Sequence, residues 1–586
     1  MRITTTLFLF FISITLLSAQ KKNHMTPFEK DNNTTATYSE AIAFYKKLAK
    51  DHSRLQVNEI GMTDSGFPLH EVVLSQEEDF DPASIQEKGK TVLMINNAIH
   101  PGEPCGVDAS MLLIRDYLDN RKKRDLLKNL VIVVVPVYNI GGAINRNGTS
   151  RANQNGPLSY GFRGNAKNLD LNRDFIKCDS RNARTFNQLF HKWNPDVFVD
   201  NHTSNGADYQ YTMTLIATED AKMDAGLAGY MNEKMLPRLY KDMADTKWEM
   251  TPYVNAIDGT PDKGIMDFLD YPRHSSGYAA LFDCISFMPE THMLKPYKDR
   301  VQSTYAFMDV MIKLLDDDHQ VLKETRKKAI QNTKNKNTFD LDWTLDKESK
   351  TTLNFKGYLA NYKPSDISGK ERLFYDRNQP YTKDIPYYKT YKSTKNIKRP
   401  MAYIIPQGYQ EIIERLEWNG VKTYQLTEDF ETKVELYRIK EFKTGEQPYE
   451  GHYLHRNVTI DTFQTEWPYY KGDYIVFVNQ PANRYIVETL EPQGPDSFFA
   501  WNFFDGILQQ KEYFSSYVFE DLAAAYLKEN PALQAELDAK KATDLDFANN
   551  ASAQLYFIYK NSPHYERTHR VYPVGRFVFD VKLPIE

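Results

Sequence analysis

The 586-residue chain reads as an α/β protein with a mixed, mostly parallel central sheet flanked by helices and a second, mixed α/β region behind it. Two features predict this. Up to about residue 318, continuously apolar runs of strand length alternate with helical segments, the pattern of strands covered on both faces. Beyond that point the alternation fades and aromatic residues crowd the sequence, as in Trp467-Pro468-Tyr469-Tyr470 and Phe498-Phe499-Ala500-Trp501. These clusters read as core packing. A chain this long exceeds one ordinary core, so at least two domains are expected.

Residues 36–50 predict a helix with Ala41, Ile42, Phe44, Tyr45 and Leu48 on one face. A β-rich stretch over 55–75 is broken by the turn signal Asp64-Ser65-Gly66. A strand follows over 91–99. Pro101 disfavours the helical region for His100, so the extended chain is expected to run to the histidine. Pro104 suits the first position of a helix over 104–119. Strand 130–137, helix 181–192 and strand 196–202 continue the alternation, and long helices near 219–244 and 299–317 complete the unit. Lys323 to Lys336 forms a basic, exposed helix or linker. The expected division is a first domain over 20–318, a linker over 319–339 and a second domain over 340–586.

A hydrophobic fraction of 41% and a charged fraction of 26% are those of a soluble globular protein. A net charge of -5 argues against nucleic acid or an anionic membrane as the main partner. Met1-Arg2, the apolar run Leu7-Phe8-Leu9-Phe10-Phe11-Ile12 and the small residues before Gln20 have the layout of a secretory signal over 1–19. The apolar stretch is shorter than the roughly 20 residues a membrane span needs. No cysteine follows it, which disfavours a lipid anchor, and no later segment is apolar enough to cross a bilayer. The mature protein is therefore expected to be exported, to the periplasm or the medium. The three cysteines, Cys105, Cys178 and Cys284, carry no C-x-x-C spacing and read as small buried residues.

His100-Pro101-Gly102-Glu103 places an imidazole and a carboxylate three residues apart beyond a strand, at the edge where open α/β sheets bind ligands. Such a pair can chelate zinc. A catalytic zinc takes three protein ligands and keeps one position open, and His202, at the end of strand 196–202, is the expected third. The expectation is one zinc per chain. Asp170 is placed to accept the second N–H of His100 and so fix its tautomer. Arg173 offers a planar fork suited to a carboxylate, with Asn172 as a further donor. In the polar loop after strand 130–137, Arg151 or Arg146 is positioned to stabilise an oxyanion.

The set His100-x-x-Glu103, Arg151, Asp170-x-Asn172-Arg173 and His202 resembles the zinc carboxypeptidases of the carboxypeptidase A type, the M14 family, over roughly residues 36–317. The resemblance implies a late glutamate as general base, and Glu290 in Ile285-Ser286-Phe287-Met288-Pro289-Glu290 fits that place; Glu219 and Asp283 are weaker fits. It also implies a substrate-clamping tyrosine, for which Tyr271 is the better match and Tyr278 the other. The implied activity is zinc-dependent hydrolysis of the C-terminal peptide bond of peptides with a free carboxylate. In that reading Arg151 meets the oxyanion while Asn172 and Arg173 hold the carboxylate. Long exported bacterial forms of the family resemble the chain beyond residue 318. Two alternatives remain at this point. The aspartoacylase and desuccinylase branch shares the Asp-x-Asn-Arg element and cleaves N-acyl amino acids. A non-catalytic peptide- or glycan-binding protein on a peptidase fold is the other, but it would show loss of a ligand or of the base.

Overall fold

The computed structural model describes residues 24–585; the expected signal over 1–19 lies outside them. Helix Tyr38–Asp51 opens on a reciprocal capping box between Thr37 and Glu40 and buries Ala41, Ile42, Phe44, Tyr45 and Leu48. The β-rich stretch is a hairpin of β1 (Leu55–Met62) and β2 (Pro68–Ser75), turning at Gly66, whose φ of +78° suits glycine. β3 (Thr91–Asn96), β4 (Leu130–Val135), β5 (Val197–Asp200), β6 (His202–Ser204), β7 (Met213–Ala217) and β8 (Met250–Pro252) follow. β9 (Asn255–Ala256) and β10 (Ile265–Met266) leave the sheet, and β11 (Ile285–His292) returns to its middle.

The sheet order is β1-β2-β4-β3-β5-β11-β7-β8, with β6 paired to β11 beyond the end of β5. Neighbours from β4 to β11 run parallel, while the hairpin and the β11–β7 pair are antiparallel. The sheet is thus mixed with a parallel centre. Every residue of β3, β4 and β5 is buried, as continuous apolar runs require.

The strand over 91–99 is shorter than expected. β3 stops at Asn96, Ala98 takes a positive φ of 54°, and His100 sits in the turn beyond. The strand over 196–202 breaks at Asn201 into β5 and β6. Side chains stitch the two exits together. Asn96 donates to Asp200 (3.0 Å), and Asn201 donates to Asn97 (2.8 Å).

The expected linker over 319–339 is not a linker for most of its length. One 39-residue helix, Tyr297–Asn335, runs through it. Leu322, Arg326, Ala329 and Thr333 recur at helical spacing and are buried. The Arg326 guanidinium bonds to the Asp283 carbonyl (2.8 Å), the Asn194 carbonyl (3.0 Å) and Asp196 (3.0 Å), which anchors this stretch to the first region.

The second region contains β12 (Thr338–Leu345), β13 (Thr351–Pro364), β14 (Glu371–Tyr388), β15 (Tyr391–Lys398), β16 (Ala402–Ile405), β17 (Tyr424–Gln425), β18 (Phe430–Thr444), β19 (His455–Tyr469), β20 (Tyr474–Phe477) and β21 (Gly575–Phe577). Six of these strands form a sheet in the order β17-β20-β16-β21-β18-β19, accompanied by helices, so the region is mixed α/β. The hairpin β13–β14 extends onto β10 and β9 of the first region. One hydrophobic core runs through both regions, from Phe198 and Phe282 to Ile412, Tyr485 and Phe498. Among the described residues no helix is long and apolar enough to cross a membrane.

Candidate metal centre and active site

The exits of β3 and β5 bring His100, Glu103 and His202 together, with one ligand atom of each within 4.8 Å of the others. All three are 3% exposed. His100 Nε2 lies 2.9 Å from Asp170 Oδ1, and His202 Nε2 lies 3.0 Å from Asp200 Oδ2. Each Nε2 proton therefore faces a carboxylate, leaving the Nδ1 lone pairs to face Glu103. His100 Nδ1 is buried without a hydrogen-bond partner, a cost that a bound cation removes. His202 Nδ1 is 3.1 Å from Glu103 Oε2.

The electrostatics agree with a cation site. Burial opposes the Glu103 charge, but Arg151 and His100 outweigh it and hold the carboxyl well below its usual range. Burial also opposes a charged His202, yet Asp200 and Glu103 push its pKa well above the ordinary value. The pocket stabilises added positive charge. Two imidazoles and a carboxylate form a donor set of the catalytic zinc type. Among the described residues no other group of His, Cys, Asp and Glu side chains is arranged to hold a metal, and all three cysteines are free and buried.

Glu290 stands in β11 directly opposite His202 of β6. Its Oε2 is buried without a partner. Burial, working against the pull of His202, pushes its carboxyl up to about 7. Arg151 donates to Glu103 Oε1 (2.7 Å), the Thr203 carbonyl (2.9 Å) and Gln154 (2.7 Å). Gly102 makes room for it, since a Cβ there would lie 2.6 Å from Arg151 Cδ. Arg173 donates through Nε to the Tyr449 hydroxyl (3.1 Å) and through Nη1 to the Asn172 carbonyl (2.7 Å). Asn172 Oδ1 accepts from the Ser275 amide (2.9 Å), which fixes the orientation of its side-chain amide. Arg151, Asn172, Arg173 and Glu290 line one cleft of about 530 Å³ with His100, Glu103 and His202.

Several expected residues lie elsewhere. Tyr271 does not line the cleft; its hydroxyl donates to Asp342 of the second region (2.9 Å), and it faces an adjoining cavity. Tyr278 is fully buried between His191 (3.0 Å) and Asn419 (2.5 Å). The tyrosine in the cleft is Tyr253. Arg146 is structural, donating to the carbonyls of Thr35, Ala36 and Ser159. Neither Glu219 nor Asp283 reaches the cleft: Glu219 lines a separate cavity, and Asp283 accepts from Thr333.

Sequence reasoning also missed four groups. Asp200 orients His202, a relation that the spacing Asp200-Asn201-His202 carried. Arg163 donates to Asp170 Oδ2 (2.9 Å) and lines the cleft. Tyr449 and Glu450 arrive from the second region, where Glu450 accepts from the Asp170 amide (2.7 Å). No local pattern marks these last two.

Residues 41–256 match the zinc carboxypeptidase family, peptidase M14. The chain is 24% identical over 494 residues to carboxypeptidase 2 of Trichophyton rubrum, covering 80% of this chain and 84% of that protein. It is 23% identical over 500 residues to carboxypeptidase 2 of Trichophyton equinum, again covering 80% and 84%. Each match covers 80% of this chain, more than the first region alone holds, and so extends into the second region. Among solved structures, carboxypeptidase A from Helicoverpa armigera gives a TM-score of 0.37 at 14% identity, over 54% of this chain and 81% of that one. A metallo-carboxypeptidase from Burkholderia cenocepacia gives 0.37 at 15%, over 48% and 70%. The protein carries an M14 zinc carboxypeptidase domain and is a metallocarboxypeptidase.

Proposed function

We propose that this metallocarboxypeptidase is exported and removes the C-terminal residue of peptides with a free carboxylate, with Glu290 as general base and Arg173 as the anchor for that carboxylate. The observation that carries the reading is convergence in one cleft: a His–Glu–His donor set, a carboxylate oxygen without a partner, and an arginine bonded through only part of its fork. Zinc held by His100, Glu103 and His202 would supply a Lewis acid that activates water and polarises a carbonyl. Glu290 takes a proton from the attacking water and returns it to the leaving amine. Arg151, fixed by Thr203 and Gln154, sets positive charge where the oxyanion develops, with Arg163 beside it. Asn172 and Arg173 hold the terminal carboxylate, and Tyr253 supplies the cleft hydroxyl that Tyr271 cannot.

Charge-assisted bonds of the Arg173 kind contribute about 1.5–3 kcal/mol. A peptide amidated at its C-terminus is therefore expected to show kcat/KM at least roughly tenfold below its free acid, since 1.4 kcal/mol is a factor of ten. Arg173→Ala should depress activity on the acid far more than on the amide. Equal rates on acid and amide by the unmodified enzyme would exclude an exopeptidase. Export rests on the signal-like layout of residues 1–19. N-terminal sequencing of the protein recovered outside the cytoplasm should begin at Gln20, and recovery of intact Met1 would refute it.

A further inference from the structure

A second cavity, of about 650 Å³, adjoins the cleft, and the two share Arg173, Phe268 and His274 in their walls. The first region supplies one side of it; β15, the start of β19 and the segment 493–495 supply the other. Its charge is one-sided. Besides Arg173, it is lined by Arg273, Lys395 and Arg456, with Asp342 as the lining carboxylate. Asp342 already accepts the Tyr271 hydroxyl and the Trp343 amide, each at 2.9 Å. Arg273 is paired with Asp496 at 2.7 Å.

Lys395 and Arg456 differ from their neighbours. On the same strand as Lys395, Lys392 pairs with Asp346 at 2.8 Å. Among the described residues, no ion pair or side-chain hydrogen bond engages Lys395 or Arg456. Two unpaired cations thus face a cavity that opens beside the arginine assigned to the substrate's terminal carboxylate. A second negative charge carried a few bonds from that carboxylate would be met there rather than repelled.

We infer that this cavity is a specificity site for an acidic C-terminal residue, with Lys395 and Arg456 receiving the side-chain carboxylate while Arg173 holds the main-chain one. The inference rests on the carboxypeptidase reading above and names the substrate class of that site: peptides ending in glutamate, aspartate or another residue bearing a second carboxylate. Glutamate and glutamine have nearly the same shape and differ by one charge, so a matched peptide pair isolates the effect.

The test measures kcat/KM of the full-length zinc enzyme on two peptides identical except for C-terminal Glu or Gln. The unmodified enzyme should prefer Glu at least fivefold. In the double variant Lys395→Gln/Arg456→Gln that preference should fall below twofold, through a larger loss on the Glu peptide than on the Gln peptide. Equal or better cleavage of the Gln peptide by the unmodified enzyme overturns the inference while leaving the exopeptidase reading intact. A Glu preference undiminished in the double variant overturns the assignment to Lys395 and Arg456. The comparison on the unmodified enzyme decides the substrate class even if the variant does not fold. Failure to trim any free-acid peptide would refute the exopeptidase reading, and this inference with it.

Discussion

His202 and Glu290 face each other across β6 and β11, yet their environments assign them different work. His202 has its Nε2 committed to Asp200 and its Nδ1 turned to Glu103, the posture of a ligand. Glu290 has a buried, unpartnered oxygen, the posture of a group waiting for a proton. His202→Ala should therefore lose most of its zinc as well as its activity. Glu290→Gln should keep zinc and fold while turnover drops by the roughly 10²–10⁴-fold expected for a general base. Metal analysis beside steady-state kinetics separates the two, and full zinc content in His202→Ala would remove it from the ligand set. At this scale much was legible. His100 and Glu103 are neighbours in sequence, Asp170, Asn172 and Arg173 form one short run, and the structure gathers all of them at the cleft. Tyr253 and Arg163 were not legible, because they sit in loops where no periodicity or spacing distinguishes a site residue from a solvated one.

The hairpin β18–β19 is the element that joins the second region to the chemistry. Its connecting segment carries Tyr449 and Glu450, which bond to Arg173 and to the Asp170 amide, and His452, whose Nε2 lies 2.7 Å from Asp179. Tyr449→Phe deletes one hydroxyl and leaves the ring. Arg173 then loses the partner of its Nε, and a neutral hydrogen bond contributes about 0.5–1.5 kcal/mol. We expect KM for a free-acid peptide to rise by roughly two- to tenfold with kcat little changed, and cleavage of the amidated peptide to change less. An unaltered KM would show that Arg173 keeps its pose without Tyr449. The order of the elements was readable from apolar runs, but their ends were not. β3 stops at Asn96 because the backbone turns at Ala98, whose φ is +54°, while the Asn96–Asp200 and Asn97–Asn201 bonds hold the two strand exits together, and such side-chain bonding leaves no trace in a hydropathy pattern. The long β13–β14 and β18–β19 hairpins escaped for a related reason: many of their residues are exposed on both faces, so polar and apolar positions do not alternate cleanly.

For the molecule as a whole, the change of composition near residue 318 suggested two domains joined by a linker, whereas the structure carries helix Tyr297–Asn335 through the boundary and packs one core across it. Phe282 stacks on Tyr485 at 5.7 Å between ring centroids, Arg484 donates to the Ala280 carbonyl (3.3 Å), and Arg415 donates to the Lys177 carbonyl (2.7 Å). Composition reports what each segment is made of but not what covers it, so a shared core is invisible to it. The consequence is testable by truncation. A chain ending at residue 339 would uncover Phe282, which packs on Tyr485, and Tyr278, which bonds to Asn419, and leave Arg173 and Asp170 without Tyr449 and Glu450. Exposing several large apolar side chains costs about 1.5–3 kcal/mol each, against a total stability of roughly 5–15 kcal/mol for a folded domain. The truncated protein is therefore expected to aggregate or to refold without bound zinc, and the intact chain to unfold in a single transition by both circular dichroism and tryptophan fluorescence. A soluble, zinc-loaded and active fragment over 20–339 would show that the first region folds alone and that the shared core is a contact between independent domains.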